Sequence, residues 1–132
     1  MFKKDYLLRL IEEAVKLLAK AMNLINESDL ENAKKQIAKT YEILKANHEW
    51  QKLPITDMIK AMENADFDEH RMEIMADLLK VESDFKRAED KFDESHELLI
   101  KSLAIYEYLD QTSTTYSFER VAKIDKLKHR LN

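Results

Sequence analysis

The residues closest to a metal constellation are Asp66, His70 and Glu73, followed by Asp93 and His96. Spacings of three and four place such side chains on shared helix faces. A dimetal carboxylate centre on a helix bundle, however, draws on two Glu-x-x-His units, and this chain contains none; Asp93-Glu-Ser-His96 is a single relative. Acids near helix starts are favoured by the helix dipole without any metal, so no metal ligands are assigned. Serine, histidine and aspartate are all present, yet no nucleophile turn sets them up as a triad. The chain has no glycine and no cysteine. Without glycine there is no phosphate-cradling loop or dinucleotide fingerprint, and without cysteine no disulfide, zinc ribbon or thiol nucleophile. No catalytic residue and no cofactor is expected.

Charge provides the next chemistry. The 132 residues carry 22 basic and 26 acidic side chains, a net charge of −4. The imbalance is local: residues 67–110 hold 6 basic and 13 acidic groups, whereas Arg120 to Arg130 holds five cations against Asp125 alone. Lys123, Lys126 and Arg130 share one helix face, as phosphate contacts would require. That face has no interleaved aromatics and the whole chain is acidic, so it reads better as a solvated face or as the partner of the acidic helices before it. A small nucleic-acid-binding regulator is the second reading. Trp50, Tyr106 and Tyr116 could form a recognition patch; Tyr106 sits at core spacing, and Trp50 is left open.

The elements that must position these groups are all helical. Leu7, Leu10, Ile11, Ala14, Leu17, Leu18, Ala21, Leu24 and Ile25 follow the spacing of one helical stripe over roughly residues 4–26. Ser28 with Glu31 has the form of a capping box, opening a second helix to about Asn47 through Leu30, Ala33, Ile37, Tyr41 and Leu44. Pro54, the only proline, breaks the chain between Trp50 and Thr56. Thr56 or Asp57 then caps a short helix near 56–64. Asp66 and Glu69 repeat the capping pattern before a fourth helix through Ile74, Leu78, Val81, Phe85 and Ala88. A turn near Asp90 leads to a fifth, burying Phe92, Ser95, Leu99, Ser102, Tyr106 and Leu109, and a Thr and Ser cluster precedes a last helix through Phe118, Val121, Ile124, Leu127 and Leu131. No segment alternates apolar and polar residues as a strand would. The expectation is a single all-α domain over 1–132: a hairpin over 4–47, the short helix, a hairpin over 67–109 and a C-terminal helix near 115–131. Asp5, Arg9, Glu12 and Glu13 interrupt any candidate signal segment, no apolar run spans a membrane, and the chain reads as cytoplasmic.

The hairpins repeat. Leu17, Ala21 and Leu24 face Ala33, Ile37 and Thr40; Leu78, Val81 and Phe85 are followed by Ser95, Leu99 and Ser102. This pattern resembles the tetratricopeptide repeat, with small residues where paired helices approach; the Trp, Gly and Pro positions of that repeat are unfilled. The opening Phe2-Lys-Lys-Asp-Tyr-Leu-Leu-Arg-Leu-Ile-Glu12 and the late Thr115-Tyr-Ser-Phe-Glu-Arg120 resemble a family of small bacterial helical proteins of uncharacterised function. The repeat resemblance implies a right-handed array of about six helices in which the first helix of each hairpin lines a concave face. That geometry puts Lys80, Ser83 and Arg87 of the second hairpin in a groove, beside a greasier face with Leu18, Met22, Ile25 and Asn26. The candidate partner-binding residues are Met22, Asn26, Lys80, Ser83 and Arg87. The expected role is a non-catalytic interaction module for a protein or peptide partner, or for self-association.

Overall fold

Three-and-four spacing of apolar residues, uninterrupted by glycine, gives helices along nearly the whole chain. The computed structural model describes residues 2–132, with side chains from Lys4 onward; the side chains of Phe2 and Lys3 in the opening segment lie outside the described residues. The elements are α1 (Phe2–Asn26), α2 (Leu30–Leu44), a 3₁₀ turn (His48–Lys52), α3 (Ile55–Asn64), α4 (Glu69–Ala88), α5 (Phe92–Thr112) and α6 (Phe118–Leu131). Among the described residues there is no strand, and no helix is long and apolar enough to cross a membrane.

Four helices end the same way. Ser28, Lys45, Asp66 and Asp90 adopt left-handed backbone, with φ of 62°, 58°, 59° and 63°. In each case the following amide donates to the carbonyl five residues back: Asp29 to Leu24, Ala46 to Tyr41, Phe67 to Met62 and Lys91 to Lys86. These are Schellman closures, in which glycine is the usual left-handed residue. Here ordinary residues fill the position at a steric cost. The closures also correct the expected caps. Ser28 and Asp66 belong to the ends of the preceding helices, so Asp29 caps α2 by accepting from the Asn32 amide and Asp68 caps α4 by accepting from that of Arg71. Pro54, rather than Thr56 or Asp57, stands at the start of α3, where its missing N–H would have no partner anyway.

Helix α4 is the centre of the molecule. Met72, Met75, Leu78, Leu79 and Val81 are buried along with Glu82 and Ser83, so its apolar residues surround it instead of forming one stripe. On one side α5 runs antiparallel: the Ser83 hydroxyl donates to the Ser95 carbonyl (2.7 Å), and that of Ser102 to the Ala76 carbonyl (2.7 Å). On another, α2 also runs antiparallel, pairing Tyr41 with Glu82 and Leu44 with Arg71. The tight α1–α2 turn therefore makes α1 parallel to α4, with Ala14, Ala21 and Ala33 fully buried in the first hairpin. Finally α6 lies parallel to α4, since Arg120 meets Glu69 and Glu73, Lys123 meets Asp77, and Arg130 meets Asp84. Thus α1, α4 and α6 point one way while α2 and α5 point the other.

Two expected core residues are not in the core. Phe92 is 59% exposed and Phe118 81% exposed; each is the first residue of its helix, and Phe118 packs edge-on against exposed Tyr116. Trp50 is half-buried, edge-on to Phe67, whose ring also carries the Arg71 guanidinium. It seals the edge of the core beside the Pro54 break.

Candidate functional site: a groove between α1, α4 and α6

The parallel run of α1, α4 and α6 leaves an open groove of about 440 Å³. Its α1 wall is apolar, formed by Val15, Leu18, Ala19 and Met22; its opposite wall is α6, with Lys123, Lys126 and Arg130; α4 supplies the floor with Asp77, Lys80 and Val81. Tyr106 of α5 closes the base.

Two α4 carboxylates, Asp77 in the floor and Asp84 outside the lining, organise the cations. Asp77 accepts from the Tyr106 hydroxyl and from Lys123 Nζ at 3.0 Å, and the same ammonium lies 5.5 Å from the Tyr106 ring centre. Asp84 accepts from Lys80 at 3.0 Å and Arg130 at 2.9 Å. Burial, then the charge of Asp77, raises the Tyr106 phenol far above its ordinary range, so it remains a proton donor. Lys80, Lys123, Lys126 and Arg130 against Asp77 and Asp84 leave a surplus of two positive charges beside an apolar wall.

Of the five residues expected in the groove, Met22 and Lys80 line it. Ser83 does not: it is fully buried and hydrogen-bonded to Ser95, because α4 is covered by α5 on that side. Arg87 lies past the end of the groove in a separate cleft with Phe92, His96 and Arg130. Asn26 is exposed at the end of α1, outside the groove lining. The basic face of the last helix, for which the sequence offered a solvated face, a partner for the acidic helices or a nucleic-acid contact, is the second wall of this groove. Two of its three cations are seated on α4 carboxylates, the arrangement anticipated for an acidic neighbour. The set Asp66, His70, Glu73, Asp93 and His96 is split, since antiparallel α4 and α5 begin at opposite ends of the hairpin. Among the described residues no group of three or more metal-ligating side chains converges.

A second polar cluster escaped sequence reading. Glu82, 4% exposed, accepts from the Tyr41 hydroxyl at Oε1 (2.6 Å) and from Gln51 Nε2 at Oε2 (3.1 Å), and Oε2 also lies 3.1 Å from His48 Nε2. Burial, followed by the Glu82 charge, holds the Tyr41 phenol far above its ordinary range. This cluster borders a 350 Å³ cleft and ties the 3₁₀ turn to α4. The sequence carried no signal that singled Glu82 out, since Lys80, Ser83 and Asp84 stand beside it between Leu78 and Phe85. At the other end of α4, Arg120 is 3% exposed and faces Glu69, Glu73 and Asp110 at 3.6 to 3.9 Å, joining α6 to the α4–α5 hairpin.

No family model, no curated protein and no solved structure matches this chain.

Proposed function

We propose that the chain is a non-catalytic interaction module whose α1–α4–α6 groove receives a polypeptide segment. The carrying observation is the apolar wall of α1 facing the cationic wall of α6 across α4, whose acids Asp77 and Asp84 are already paired. An apolar strip flanked by oriented charge suits recognition of a side-chain pattern, and the groove's size matches a short segment rather than a whole domain. Arrangement of the two hairpins as tetratricopeptide-like repeats fits this role, because such repeats present their first helices side by side. Binding in the groove is tested by display selection of random peptides on the purified protein, followed by Val15→Arg and Ala19→Arg variants, both at exposed positions of the α1 wall. Selected peptides should lose binding to both variants while the variants melt as the parent does. Peptides indifferent to both substitutions, or no selectable binder, would overturn the proposal.

A further inference from the structure

The occupant of this groove can be specified by its chemistry. We infer that it is an acidic amphipathic helix of about four turns, an assignment that rests on the groove being a polypeptide site. Two observations carry it. First, Val15, Ala19 and Met22 line the groove at spacings of four and three, and Leu8, seven residues before Val15, continues the same ridge along α1. Leu8 and Val15 are 49% and 50% exposed, which extends the ridge two turns beyond the cleft itself. From Leu8 to Met22 the ridge runs roughly 21 Å at 1.5 Å per residue. A ridge of this spacing interlocks with the i, i+3, i+4 side chains of another helix. Ala19 at its middle lets the partner's backbone come close, where a longer side chain would hold it off. An extended strand has a two-residue repeat that does not match.

Second, the facing wall selects charge. Asp77 and Asp84 are already engaged by Lys123, Lys80 and Arg130, leaving the surplus positive potential around exposed Lys126. A helix seated on the α1 ridge presents one flank to that wall. Glutamates on that flank would face Lys126 and Arg130 and would dock fastest at low salt.

The test uses the full chain and three synthetic 15-residue helical probes, followed by fluorescence anisotropy. All carry leucines at alternating three and four spacing: one has glutamates on both flanks, one has lysines, and one has glutamates plus a central proline. The glutamate probe should bind at least tenfold more tightly than the lysine probe and the proline probe. Lys126→Glu should weaken it three- to tenfold, and Ala19→Arg should abolish binding; both positions are exposed, so melting should be unchanged. Equal binding of the lysine probe, or of the proline probe, would overturn the inference. So would sedimentation showing that a second copy of this chain fills the groove. If display-selected peptides map to the groove but are neutral or extended, the helix assignment fails while the groove reading survives; if nothing maps to the groove, both fail.

Discussion

Replacing Tyr41 by phenylalanine removes one hydroxyl from the Glu82 cluster and leaves the ring in place. The hydroxyl is 2.6 Å from a carboxylate that is 4% exposed, and a buried hydrogen bond to a charged acceptor contributes roughly 1.5 to 3 kcal/mol. After the substitution Glu82 Oε1 keeps only Gln51 at 3.3 Å, so the expected loss is about 2 kcal/mol. Glu82→Met deletes the carboxylate at similar volume and leaves the Tyr41 O–H without its acceptor, although the phenol oxygen still accepts from Gln51 Nε2 at 3.0 Å, at a cost of about 1 to 3 kcal/mol. The two losses should not add. In the double variant neither an unpaired hydroxyl nor an underpaired buried carboxylate remains, so it should be more stable than the sum of the single losses implies, by about 1.5 kcal/mol or more. Urea melts of the four proteins measure this cycle directly, with midpoints compared at constant slope. Additivity to within about 0.5 kcal/mol would refute the argument, because it would mean the hydroxyl and carboxylate are not coupled.

Alkaline pH tests the two raised phenols. Because Tyr41 and Tyr106 hold their protons in the folded protein while unfolded tyrosine ionises near 10, the folded state binds more protons above that pH. Their contribution to stability is therefore whole below about pH 10 and falls as pH rises, by about 2.7 kcal/mol per unit for the pair; urea melts from pH 10 to 11.5 should show this, with the slope halved in Tyr41→Phe. Lys45→Gly and Asp90→Gly should each raise stability by about 0.5 to 1 kcal/mol, because glycine relieves left-handed backbone at φ of 58° and 63°. The gain should be larger at Lys45, whose side chain has no short polar group to support that conformation; unchanged or lower melting temperatures would contradict the reading of these turns.

The helical class and the near-positions of all six helices were legible in the sequence because both depend on local physics. Helical periodicity in Leu7 to Ile25 or Val121 to Leu131 is a property of neighbours three and four apart, and Pro54 interrupts its own turn whatever surrounds it. Serines at 95 and 102 pointed to close helix approach for the same reason, since their small size is intrinsic. Caps were misread by one or two residues at Asp29 and Asp68, because a chain without glycine gives no marker of where a Schellman turn ends.

What the sequence could not determine is which face of a helix meets which neighbour. Ser83 and Lys80 lie three residues apart on α4; one is sealed under α5 and the other opens into the groove, a division made only when α5 and α6 dock on different sides. Glu82 looked like one more acid in an acidic segment, and only the return of Tyr41, His48 and Gln51 from 31 to 41 residues away completes its shell. The basic α6 became a groove wall for the same reason, its cations finding Asp77 and Asp84 46 residues distant. Such contacts depend on helix direction and crossing, which packing of the whole core sets and no local pattern encodes.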